Sequence, residues 1–143
     1  MVEIIIVETG HNKAYDLICQ LHEALSFPVL ERGEYNSRLD LAIQGGYRQY
    51  FIVKNDEIVG LIGFRILNDL LRPRRLLIDD LVIDKQYRKQ GLSTKALDFA
   101  FEIARVENCQ RVDLEAALSN DAAINTYKKY DFDSVAYLMR KMV

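Results

Sequence analysis

Leu81-Val82-Ile83-Asp84-Lys85-Gln86-Tyr87-Arg88-Lys89-Gln90-Gly91-Leu92-Ser93 is the stretch in which the architecture of the chain first shows. It opens on three apolar β-formers, passes through a short basic loop and reaches a glycine. Beyond Gly91, residues Ala96, Leu97, Ala100, Ile103 and Ala104 recur at helical spacing, with Lys95, Asp98, Glu102 and Arg105 on the opposite face. The segment therefore predicts a buried strand, a tight turn and a helix that begins at Gly91. A helix N-terminus leaves backbone N–H groups unpaired and carries partial positive charge, so it attracts phosphate. Glycine lets a ligand approach the backbone closely, and Arg88 and Lys89 add mobile positive charge. A βα turn with one glycine and two cations also occurs as plain solvated structure, so spacing alone leaves both readings standing.

Working outward, the apolar run at residues 2–7 reads as a first strand. Ala14, Leu17, Ile18, Leu21 and Leu25 give a helix over 11–25 that Ser26-Phe27-Pro28 stops. A loop through Glu31-Arg32-Gly33 leads to a short helix over 35–44. Tyr50–Val53 and Ile58–Phe64 read as a hairpin turned at Asn55-Asp56, and Leu76–Ile83 as the strand entering the basic turn. A strand at Val112–Ala116, a helix at Asn120–Tyr130 and a last strand at Val135–Met142 complete the order β-α-α-β-β-β-α-β-α-β. That order is an α+β plan with helices packed on one sheet.

The chain has 143 residues, enough for one domain over 1–143 with a full core. A net charge of -2 argues against general nucleic-acid binding. Cys19 and Cys109 form no CxxC or Cys/His cluster, which argues against a structural zinc and for reduced thiols. The N-terminal apolar run lacks a basic leader, and no run is long enough to span a membrane, so a cytoplasmic protein is expected. His11 and His22 belong to no visible triad or metal set.

Arg88-x-x-Gly91-x-Ser93 resembles the Gln/Arg-x-x-Gly-x-Gly/Ala signature of the GNAT N-acetyltransferase family. Ile78-Asp79-Asp80-Leu81-Val82-Ile83 resembles the strand that precedes it. Asn120-x-x-Ala123-Ile124-x-x-Tyr127-Lys128-Lys129-Tyr130-Asp131-Phe132 resembles the family's Asn-x-x-Ala-x-x-x-Tyr-x-x-x-Gly-Phe helix. The likeness is sharp over residues 76–132. Two positions depart from the pattern: Ser93 replaces a Gly/Ala, and Asp131 replaces a glycine and must take a left-handed conformation.

The resemblance implies a GNAT-type fold: a mixed central sheet with a splayed strand pair that binds acyl-CoA, and helices on both faces. It implies acetyl-CoA as co-substrate, without metal, and transfer to a primary amine of a small molecule or peptide by direct attack. The pyrophosphate would lie over Arg88, Lys89, Gln90, Gly91, Leu92 and Ser93. The pantetheine arm would pair with Leu81, Val82 and Ile83, with Asn120 and Tyr127 nearby. Asp79 and Asp80 are candidate bases, Glu115 a weaker third, and Tyr127 a candidate general acid. Each also has a plain alternative: strand acids pair with arginines, and a tyrosine at helical spacing packs in cores. The family places acceptor specificity in the segment Glu31–Tyr35, and many relatives form homodimers. A CoA-sensing module without turnover is the alternative function.

Overall fold

Strand pairing organises the chain. In the computed structural model, which describes residues Met1–Val143, five strands lie in the order β1-β2-β3-β4-β5. β1 (Val2–Ile6), β2 (Arg48–Lys54), β3 (Glu57–Leu67) and β4 (Arg75–Ile83) pair antiparallel in succession. β5 (Arg111–Leu114) pairs parallel to β4, across the connection made by α3 (Leu92–Val106). The sheet is therefore mixed. Asn55 and Asp56 form the β2–β3 turn with φ of 51 and 64, the left-handed values that a tight hairpin requires.

Helices cover both faces. Ala96, Leu97, Ala100 and Ala104 of α3 are buried against Ile52, Ile62, Phe64, Leu76 and Ile78. On the other face α1 (Asn12–Ala24) buries Ala14 and Leu17 against Phe51, Leu61 and Val82. α2 (Arg32–Gln44) adds Tyr35 and Leu39, packed with Leu30 and Tyr47. This helix starts three residues before the predicted Tyr35. Glu31 is its N-cap and Gly33 lies in its first turn, so the expected loop at Arg32-Gly33 is helical. Burial of Tyr35 and Leu39 outweighs the weak helix propensity of one glycine.

Strand β4 is bulged. Gly63 pairs with Asp80 and Phe64 with Ile78, which leaves Asp79 without a partner in the ladder. The extra residue changes the alternation of the strand. Leu76 and Ile78 pack toward α3 before the bulge; after it Leu81 and Ile83 do so, and Val82 packs toward α1.

The expected strand at Val135–Met142 is not formed. After α4 (Asp121–Lys129), residues 132–143 carry no helix or strand. The segment has strand-forming composition, but a strand needs a ladder partner, and within the chain no backbone hydrogen bond is made beyond the amide of Phe132. Asp131, by contrast, takes the left-handed conformation expected of it, with φ of 65.

Candidate active site

β4 and β5 pair only from Arg75–Ile78 to Arg111–Leu114, so the strands part beyond Ile78 and the Asp79–Ile83 edge of β4 has no β5 partner. A groove of about 680 Å³ opens there. One wall is the β4 edge of Leu81, Val82 and Ile83. Its end is the turn of Arg88, Lys89, Gly91, Leu92 and Ser93. Ala117, Ser119 and Asn120 lie across from it, and Leu21, Ala24, Leu25 and Ser26 at the end of α1 close the remaining side. Open strand amides and carbonyls beside a helix N-terminus suit an extended chain that ends in phosphates.

The turn is built for backbone approach. Asp84 accepts from the amide of Gln86 at 3.1 Å and pairs with Lys13 of α1, which ties the end of β4 to that helix. A single turn of 3-10 helix, Lys85–Tyr87, follows. Gly91 is the N-cap of α3 in the left-handed region, with φ of 71, and it supplies no side-chain cap. A Cβ placed there would meet no protein atom within 4 Å. Glycine is thus demanded by conformation, and the space over it is open. Arg88 and Lys89 are exposed, and neither is in an ion pair; Arg88 Nε reaches the carbonyl of Ile83 at 3.3 Å.

The two acids of β4 lie in different surroundings. Asp79 is exposed and accepts from Nε and Nη2 of Arg65, at 2.8 and 2.7 Å. Asp80 accepts a 2.6 Å hydrogen bond from the Tyr47 hydroxyl, which in turn accepts from Gln49 Nε2 at 3.2 Å. Burial pushes the Asp80 carboxyl up to about 6. The Tyr47 hydrogen bond opposes that rise, the charge of Asp79 adds to it, and His22 and Arg65 pull it down. Burial and the neighbouring Asp80 hold the Tyr47 phenol well above its usual value, so it donates. Burial raises the Tyr35 phenol above its usual value, while Gln49 and Arg32 pull it down and the Asp80 charge adds to the rise.

Of the remaining candidates, only Asn120 lies in the groove. Its Oδ1 caps α4 through the amide of Ala123 at 3.2 Å. Gln90 lies outside the groove lining and accepts from Lys54 Nζ at 2.9 Å. Tyr127 does not line the groove either. Its ring packs edge-on to Phe132 with centroids 5.9 Å apart, and burial raises its phenol. Glu115 is exposed after β5. His11 caps α1, and His22 bonds the carbonyl of Pro28 at 2.9 Å. No group of three or more His, Cys, Asp or Glu side chains is placed to hold a metal ion, and no helix is long and apolar enough to cross a membrane.

Sequence reasoning missed the α1 wall of the groove and the partners of Asp80. Two signals were available. Gln49 is a polar residue inside an apolar strand, and Gly63 interrupts a run of β-formers, a mark of close approach. Tyr47 is what approaches: a Cβ on Gly63 would stand 2.0 Å from the Tyr47 hydroxyl.

Comparison with known proteins follows the same lines. A family model described as acetyltransferase (GNAT) family matches residues 15–132. An N-alpha-acetyltransferase of Sulfurisphaera tokodaii is 33% identical over 98 residues, covering 62% of this chain and 59% of that protein. The matches span 59% and 56% of the length of two curated relatives, under two thirds of each. A Trypanosoma brucei acetyltransferase structure superposes with a TM-score of 0.77 at 24% identity, over 100% of both chains. An aminoglycoside N-acetyltransferase solved with CoA gives a TM-score of 0.81 at 9% identity, over 100% of this chain and 95% of that one. At such identities the two structures speak for the fold alone.

Proposed function

The chain belongs to the GNAT acetyltransferase family, and on that footing we propose that it transfers an acetyl group from acetyl-CoA to a primary amine. The observation that carries this reading is the groove between the β4 edge and the N-terminus of α3, with Gly91 at its head and Asp80 one residue before its wall. The site needs no metal in this reading, and the cell compartment is the cytoplasm. The amine is that of a small molecule or a peptide. The name of the Sulfurisphaera relative puts the α-amino group first among acceptors to be tried.

When bound, acetyl-CoA supplies an activated acyl group as a thioester. Arg88, Lys89 and the amides at the start of α3 would hold its phosphates. The free edge of Leu81–Ile83 would pair with the pantetheine arm as with an added strand. Asn120 borders that path in this assignment. We assign the base to Asp80 rather than Asp79, because Asp79 is committed to Arg65 whereas Asp80 is partly buried with a raised pKa. Asp80 would accept the proton of the incoming ammonium group, directly or through water. Tyr127, protonated at neutral pH, would deliver a proton to the departing sulfur. The amine attacks directly, and no nucleophilic side chain intervenes. A homodimer is part of this reading.

The test is a panel of amines (peptide α-amines, lysine side chains, polyamines, amino sugars) incubated with acetyl-CoA and read by mass spectrometry. Acetylation of at least one class, dependent on Asp80, supports the reading. Acetyl-CoA binding with no acetylated amine in any class would turn it toward a module that only senses CoA.

A further inference from the structure

The loop between β4 and α3 does not hold its own shape. Lys89 lies in the left-handed region with φ of 65, as Gly91 does with φ of 71, and Gln90 stands between them. A lysine keeps that conformation only where its surroundings impose it. Backbone bonds do not impose it here: the amides of residues 88–91 donate to no backbone carbonyl. Free amides in alternating right- and left-handed conformations form a concave anion site, so their direction decides how well a phosphate fits.

The constraint comes from the β2–β3 hairpin. Lys54 and Glu57 are ladder partners on either side of the Asn55-Asp56 turn. Opposite charges so placed commonly pair with each other. Here each reaches the loop instead. Lys54 Nζ donates to Gln90 Oε1 at 2.9 Å, at the residue between the two left-handed positions. Glu57 accepts from the Tyr87 hydroxyl, and that bond holds the Tyr87 phenol above its usual value, so it stays the donor. Tyr87 lines the groove and packs on the core that buries Leu92 and Ala96 of α3. Neither Lys54 nor Glu57 lines the groove itself.

We propose that Lys54 and Glu57 are positioning residues for acetyl-CoA: the last ladder pair of the hairpin grips the loop at Gln90 and Tyr87 and sets the amides and cations of residues 88–92 for the phosphates before the ligand arrives. The inference rests on the reading of the groove as the acetyl-CoA site. The sign of one effect separates it from a plain influence of charge. Glu57 is an anion near a site for a polyanion, so on charge alone its removal tightens binding. A brace predicts the reverse.

The test is a calorimetric titration of acetyl-CoA into wild type, Glu57→Ala, Glu57→Gln and Lys54→Met, beside steady-state kinetics. Glu57→Ala should weaken binding about 3- to 10-fold, as expected on losing one hydrogen bond to a charged group. KM for acetyl-CoA should rise by a like factor with kcat near that of wild type, since Glu57 stands at the start of β3, well before Gly63, the partner of Asp80. Glu57→Gln removes the charge but keeps an acceptor for Tyr87, and it should bind at least as tightly as wild type. Lys54→Met should weaken binding as Glu57→Ala does. In the free proteins, the amide order parameters of Lys89, Gln90 and Gly91 should fall in Glu57→Ala and Lys54→Met and be retained in Glu57→Gln. The proposal is overturned, with the acetyl-CoA site left standing, if Glu57→Ala binds as tightly as wild type or tighter, if Glu57→Gln loses as much as Glu57→Ala, or if the order parameters of Glu57→Ala are unchanged. A wild-type chain that does not bind acetyl-CoA overturns both.

Discussion

The Tyr47 hydroxyl donates a 2.6 Å hydrogen bond to the Asp80 carboxylate across the sheet, in a space that exists because residue 63 is glycine. A methyl group on residue 63 would stand 2.0 Å from that hydroxyl. Tyr47, the residue before β2, Gly63 on β3 and Asp80 on β4 thus form one unit. It fixes a buried carboxylate at the point where β4 leaves its pairing with β5.

If Asp80 is the base, kcat/KM should fall on the acid side with a midpoint near 6, the value set mainly by burial. Below it the carboxyl is protonated and cannot accept. Asp80→Asn should lower the rate about 10²–10⁴-fold near neutral pH and abolish that limb, as expected on removing a general base. The loss should not reflect unfolding. A folded pKa above the ordinary aspartate value means that ionisation costs the fold as pH rises from about 4 to 6, so Asn removes a cost at pH 7. Its melting temperature at neutral pH should be no lower than that of wild type. Asp79→Asn, which breaks an exposed contact with Arg65, should leave the limb in place. Rate profiles of the two variants from pH 5 to 9 decide between the acids.

Tyr47→Phe should move the acid limb upward. The hydrogen bond from Tyr47 stabilises the ionised carboxylate, and it is the largest influence that lowers the Asp80 pKa. Without it, burial acts less opposed. The kcat/KM profile of the variant should therefore require a higher pH to reach its plateau, and the plateau itself should be largely retained. An unmoved limb with a lower plateau would make Tyr47 a packing residue.

Tyr127→Phe keeps the ring and its contact with Phe132 while removing the hydroxyl. If Tyr127 donates the proton to the leaving sulfur, kcat should drop about 10²–10⁴-fold with CoA affinity nearly intact. Steady-state kinetics beside a CoA titration make the check. Since the residue stands outside the groove lining, turnover close to wild type would assign it to the core and leave the proton to solvent.

Much of this was legible in the sequence, for local reasons. The helical spacing of Ala96, Leu97, Ala100 and Ala104 reports burial directly, because a helix presents one face to its sheet. Asn55-Asp56 and Asp131 reveal left-handed positions because few residue types tolerate them. Arg88-x-x-Gly91 marks its turn because glycine is required there by conformation. What escaped depends on contacts between distant residues. The bulge at Asp79 is set by the register of β3 against β4, and neither strand alone shows it. The partnership of Tyr47 with Asp80 spans 33 residues of sequence. The start of α2 at Arg32 follows from where Tyr35 and Leu39 are buried. The strand character of Val135–Met142 is plain in its composition, but a strand forms only where a ladder partner receives it, and the chain provides none there.

The most direct measurement is a calorimetric titration of acetyl-CoA into the full chain, with chelator present, beside the same titration of Gly91→Val. Gly91 heads the groove at φ of 71, with open space over its backbone. A branched side chain would both strain that conformation and stand where the phosphates approach. Wild type should bind one equivalent without any divalent ion, more weakly as salt rises, because Arg88 and Lys89 contribute screened charge. Gly91→Val should lose most of that affinity while circular dichroism and a cooperative melt show the fold retained. Binding that needs a metal ion, or an affinity unchanged in Gly91→Val, would contradict the placement of acetyl-CoA at the start of α3.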